Sequence, residues 1–183
     1  IKPNEVKIED RDGKPVERKT FHVDMDANET DKGTYPFYML KEIDEQPNVM
    51  RRLAQVYLSE TGEPVISDKL LNSMKQADRI YIVGAGTSYH AGLVGKRLFE
   101  SLTQTPTEVH VSSEFAYEEP ILSKKPFFIF LSQSGETADS REVLVNVNAG
   151  GYESLTITNV QNSTLSREAT YTLLLHAGPE IAV

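Results

Sequence analysis

The sequence predicts an α/β fold, a three-layer sandwich in which helices flank a five-stranded parallel sheet of strand order 2-1-3-4-5. Three observations predict it. From Arg79 onward, short β-branched and aromatic runs alternate with helical ones, the pattern of strands joined by crossover helices. Those runs are apolar almost throughout, as in strands covered on both faces. Right-handed crossovers then leave few topologies for five strands, and the flavodoxin-like order is the common one.

The elements follow in order. RIYIV, from Arg79, is a strand, and SYHAGLVGKRLFESL, from Ser88, is a helix. TEVHV, from Thr107, is the second strand, and SEFAYEE is a short helix or turn. PFFIFL, from Pro126, is the third strand. TADSREVLVNVNAG is a helix stopped by Gly150 and Gly151. SLTITN is the fourth strand, STLSREA a short helix, and YTLLL the last strand. Before the sheet, PFYMLKEIDEQPNVMRRLAQVYL has apolar residues near helical spacing, with Pro47 expected to kink or divide it. SDKLLNSMKQA is a further helix with Ser67 at its N-cap. Residues 1–32 are densely charged, and DRDGKP between two short alternating runs is an Asp-Gly hairpin pattern. DMDANETDKGTY then reads as a linker. The expected division is therefore 1–32, an appended segment, and 33–183, the α/β domain.

Composition excludes several function classes. The net charge is −8 and no Lys/Arg cluster occurs, which argues against nucleic-acid and anionic-membrane binding. No apolar run approaches the ~18 residues of a membrane span. The chain has no Cys, so disulfides, thiolate metal sites and a Cys nucleophile are excluded, and a cytoplasmic setting fits. His22, His90, His110 and His176 are scattered without metal-ligand spacing, so neither metal nor cofactor is expected. The chain opens on Ile and stops at AGPEIAV, which reads as a piece of something longer.

Two turns carry the chemistry. GAGTSYH follows the first strand and SQSGET the third, and both open helices. In the 2-1-3-4-5 order these strands are neighbours whose chains leave to opposite faces. The crevice beyond their carboxyl ends is the switch point where ligands bind. Each helix start offers free N–H groups and the positive end of its dipole. Ser88, Ser132, Ser134 and Thr137 add hydroxyls, and hydrogen bonds to a charged group are worth about 1.5–3 kcal/mol each. A phosphate could be held there without Lys or Arg. The competing reading is that these hydroxyls are ordinary helix caps.

Other motifs fail on their spacing. GAGTSYHAG has Tyr89 where the dinucleotide fingerprint needs Gly, and SQSGET lacks the Lys of a P-loop. Neither turn is a nucleophile elbow. Glu114 and Glu136 are acids at helix starts, where they ordinarily serve the dipole rather than act as general bases.

GAGTSYHAG, SSEF, LSQSGETADS and AGPEIAV together resemble the sugar isomerase (SIS) domain family. With KEIDEQP at Lys41 to Pro47, the chain is similar to the first SIS domain in the glutamine–fructose-6-phosphate aminotransferase family. The charged hairpin resembles the tail of that family's glutaminase half. The resemblance implies sugar-phosphate binding by Thr87, Ser88, Ser132, Gln133, Ser134, Thr137 and Val183. Ala85 is Cys in some members, and a small residue there keeps the turn. The resemblance implies fructose 6-phosphate or glucosamine 6-phosphate as ligand, and a homodimer formed through the isomerase half. The family makes glucosamine 6-phosphate from fructose 6-phosphate and glutamine. The second SIS domain and tail, which carry its isomerase Lys, Glu and His, have no counterpart here, so no catalytic residue is assigned. The alternative is a stand-alone regulatory module that binds a phosphosugar without catalysis.

Overall fold

A computed structural model describes residues 5–18 and 31–182. The two parts of the expected division, 1–32 and 33–183, are thus described in part. His22 and Val183 lie outside the described residues.

Five strands form one parallel sheet in the order β2-β1-β3-β4-β5. They are β1 (Arg79–Gly84), β2 (Thr107–Val111), β3 (Pro126–Leu131), β4 (Ser154–Thr158) and β5 (Tyr171–Leu174). Among the described residues six helices accompany them: α1 (Tyr38–Tyr57), α2 (Asp68–Gln76), α3 (Gly86–Thr103), α4 (Ser112–Tyr117), α5 (Ala138–Ala149) and α6 (Thr164–Glu168). The predicted fold class, order and element sequence are all present.

The central strand explains why the sheet must be covered twice. Phe127 to Phe130 are all buried, and their side chains alternate between faces. Phe128 and Phe130 join Tyr81 and Val83 under α4, α5 and α6, through Phe115, Val143, Leu144, Val147 and Leu165. Phe127 and Ile129 join Ile80 and Ile82 under α2 and α3, through Leu70, Met74 and Phe99. Each such side chain contributes about 1.5–3 kcal/mol on burial. Gly92 lets α3 lie close on the sheet: a Cβ there would sit 2.9 Å from the side chains of both Ile82 and Val109.

The helix ends follow local chemistry. α5 stops in a Schellman motif: the Tyr152 N–H reaches the Val147 carbonyl and the Gly151 N–H the Asn148 carbonyl, with Gly151 at φ 72°. Pro47 does not divide its segment, because α1 runs unbroken for 20 residues. Proline removes one interior hydrogen bond, and the rest of the ladder carries the helix through. Ser67 stands at the N-cap of α2 as predicted, but its hydroxyl makes no cap bond.

The Asp-Gly turn is formed. The Gly13 N–H meets the Asp10 carbonyl at 3.1 Å, and the Val16 N–H meets the Ile8 carbonyl at 2.8 Å. Gly13 takes φ 78°, the left-handed position that closes a three-residue hairpin loop.

Candidate functional site

The strand register brings the two predicted turns together. Gly84, the last residue of β1, pairs with Leu131, the last residue of β3. GAGTS and SQSGET therefore leave the sheet side by side, and their helices depart to opposite faces. Gly84 makes the proximity possible: a Cβ there would lie 3.1 Å from the Tyr89 nitrogen and 3.3 Å from the Leu131 carbonyl oxygen. Gly86 and Gly135 take φ 53° and 66°, the left-handed conformation that glycine adopts without a Cβ penalty.

The hydroxyls are not spent as caps. Ala85, not Thr87 or Ser88, is the N-cap of α3, which begins two residues before the predicted Ser88. Thr137 is the N-cap of α5, yet its hydroxyl makes no cap bond. It pairs instead with the Ser132 hydroxyl at 3.0 Å. The Ser132 Oγ also accepts the Gly135 N–H at 3.0 Å, and the Ser134 Oγ accepts the Glu136 N–H at 3.2 Å. The Thr87 and Ser88 hydroxyls make no hydrogen bond with another described residue. Nor do the N–H groups of Gly86, Thr87, Ser134 and Thr137 find a carbonyl or side-chain acceptor among the described residues. Buried helix-start donors without partners are costly. Here the residues remain accessible, Thr87 and Ser134 being exposed and Ser88, Gln133 and Thr137 half-buried. Of the seven predicted residues, Thr87, Ser88, Ser132, Gln133, Ser134 and Thr137 come together on the two turns. Val183 lies outside the described residues.

The SQSGET turn is held from behind by the β4–α6 connection, which sequence reading missed. The Gln133 carbonyl accepts the Thr158 hydroxyl at 3.0 Å and the Asn159 N–H at 2.9 Å. The Gly135 carbonyl accepts the Leu165 N–H at 3.0 Å. The Glu136 carboxylate accepts the Thr164 N–H at 2.8 Å. Bonding to Thr164, with help from Arg167 and Arg141, holds Glu136 below the usual carboxylate range. Glu136 is thus a latch between turns and not a free base. The only sequence signal for this support was TNVQNST, a cluster of turn residues after a strand.

No group of described residues could hold a metal ion. His90 bonds the Gly86 carbonyl in its own helix, and His110 pairs with Glu108. No helix among the described residues is long and apolar enough to cross a membrane.

Two glycine-bearing turns side by side at the switch point of a five-stranded parallel sheet, with N–H and hydroxyl groups that find no partner among the described residues, define a doubly wound α/β domain. The SIS domain model matches residues 73–183. The chain belongs to the SIS domain family.

Over all 183 residues it is 75% identical to a glutamine–fructose-6-phosphate aminotransferase (isomerizing) of Lactiplantibacillus plantarum. It is 62% identical over 178 residues to the protein of that name from Geobacillus kaustophilus. The chain spans 30% of the length of each. Among solved structures, the C-terminal domain of a glucosamine-fructose-6-phosphate aminotransferase from Francisella tularensis aligns with a TM-score of 0.78 at 37% identity. That alignment covers 83% of this chain and 43% of that one. A glucosamine-6-phosphate deaminase from Thermotoga maritima shares the fold, with a TM-score of 0.61 at 23% identity over 76% of this chain and 40% of that one.

Proposed function

We propose that the paired turns bind the phosphate of a hexose 6-phosphate, fructose 6-phosphate or glucosamine 6-phosphate, in an isomerising glutamine–fructose-6-phosphate aminotransferase. The observation that carries this is the set of unspent hydroxyl and N–H donors on two adjacent helix starts. Ser132 and Thr137, whose hydroxyls bond each other, turn outward to the phosphate oxygens when the sugar phosphate binds. Ser134, Thr87 and Ser88 donate beside them, and the two helix dipoles supply the positive field. The net charge of −8 does not oppose this, because the binding field is local. Gln133 stands beside the phosphate, and Val183 meets the sugar.

Within the whole enzyme this domain holds the sugar while other parts carry out proton and ammonia transfer, so the chain by itself is inactive. Residues 1–32 belong to the preceding glutaminase side and 33–183 to the sugar-phosphate domain. The enzyme works in the cytoplasm as a homodimer. Identity over 183 and 178 residues of the chain to two aminotransferases supports this reading over a stand-alone regulatory module.

Calorimetric titration with fructose 6-phosphate, against fructose and inorganic phosphate, tests the assignment. Saturable binding competed by phosphate and not by fructose is expected. Binding of fructose alone, or no binding at millimolar phosphosugar, would refute it.

A further inference from the structure

Two motifs stand apart from the paired turns: KEIDEQP on α1 and AGPEIAV after β5. The structure joins them. Residues 175–182 leave β5 at its carboxyl end, on the same rim of the sheet as the two turns, without regular secondary structure. None of these residues is buried, and a cleft of about 140 Å³ remains between α1 and residues 177–179. Hydrogen bonds tie this strap down. The Arg52 guanidinium donates to the His176 carbonyl at 2.9 Å. The Glu42 Oε1 accepts the N–H groups of Ile181 and Ala182 at 2.8 and 3.1 Å.

Asn159 makes the central tie. Its Oδ1 accepts the Ala177 N–H at 2.9 Å and its Nδ2 donates to the Gly178 carbonyl at 2.6 Å. Its own N–H donates to the Gln133 carbonyl, in the SQSGET turn. One residue thus grips the strap with its side chain and the site turn with its backbone. A primary amide suits the task, since it offers a donor and an acceptor at fixed separation to adjacent peptide groups.

We propose that Asn159 is a positioning residue. It registers the 175–182 strap against the Gln133 turn, Glu42 pins the far end, and the strap so set forms the side of the site that meets the ligand beyond its phosphate. This rests on the phosphosugar reading above.

The test titrates Asn159→Ala, Asn159→Asp and Glu42→Ala with fructose 6-phosphate and, separately, with inorganic phosphate. Amide exchange at Ala177 and Ile181 is followed by NMR. One to two lost hydrogen bonds predict a loss of about ten-fold in phosphosugar affinity for Asn159→Ala, with phosphate affinity changed less than about two-fold. The Ala177 amide should lose protection together with that affinity. Asn159→Asp keeps the acceptor for Ala177 and should recover part of it. Glu42→Ala, remote from the core, should repeat the split even if Asn159→Ala fails to fold. Equal losses for both ligands, or freed strap amides with unchanged phosphosugar affinity, would overturn the proposal. If the unaltered chain binds neither ligand, the phosphosugar reading fails and takes this one with it. If it binds and the variants match it, only the strap inference falls.

Discussion

Gly135 and Ser163 touch so closely that no side chain fits between them. A Cβ on Gly135 would lie 2.0 Å from the Ser163 Oγ and 2.5 Å from its Cβ. Ser163 is 2% exposed, and its hydroxyl has no hydrogen-bond partner. The contact presses the β4–α6 connection against the turn that carries Ser132, Ser134 and Thr137.

Gly135→Ala therefore meets two obstacles, the close wall and the positive φ. Overpacking of this kind costs about 1–3 kcal/mol, and the left-handed conformation adds roughly 1–2 kcal/mol. The variant should unfold at lower urea and lose phosphosugar binding. Adding Ser163→Gly should restore part of the stability, because it removes the nearest atoms. No recovery in the double variant would show that the backbone conformation dominates.

Ser132→Ala with Thr137→Val removes two hydroxyls from the crevice and leaves the Gly135 N–H without its acceptor. An unpaired N–H there costs about 1–3 kcal/mol, so circular dichroism should still report a folded domain with a lowered midpoint. Phosphosugar binding should fall by about ten-fold or more, the worth of one hydrogen bond to a charged group. Unchanged affinity would remove these residues from the site.

The Glu136–Thr164 latch responds to acid. Its folded pKa lies below the ordinary glutamate value, through bonding to Thr164 and then the field of Arg167 and Arg141. Its contribution is fully present above that ordinary value and disappears as pH falls through the depressed folded one. Glu136→Gln should flatten the acid limb of the stability–pH profile below about pH 5. Because the carboxylate is exposed, solvent screening keeps the effect small.

Glu180 behaves in the opposite sense. Partial burial, and then the charge of Glu42, raise its pKa. Its contribution favours the folded strap below the ordinary glutamate value and is lost as pH rises through the raised folded value. Glu180→Gln should therefore increase protection of the Ile181 and Ala182 amides at pH 7 and leave them unchanged near pH 4. Equal protection at both pH values in the unaltered chain would contradict this.

Much of the fold was legible because it is written in local chemistry. The apolar run Phe127 to Leu131 could only be a doubly covered strand, and Gly150 with Gly151 stop α5 where helical spacing ends. The strand order is the common one among the few that right-handed crossovers leave, and it places GAGTS beside SQSGET. Pro47 does not divide its segment because its cost is local, whereas the continuity of α1 depends on every other turn of the helix.

The sequence by itself determined which strands form, their order, and which two turns share a rim, since periodicity, glycine conformation and crossover handedness act over short stretches. Only the tertiary structure decided how the hydroxyls are used and what holds the turns in place. Thr137 gives its hydroxyl to Ser132 instead of capping α5, and Asn159 links Gln133 to a strap pinned by Glu42, 139 residues away from Ile181. Such bonds depend on distances between segments far apart in the chain, and no local pattern encodes them.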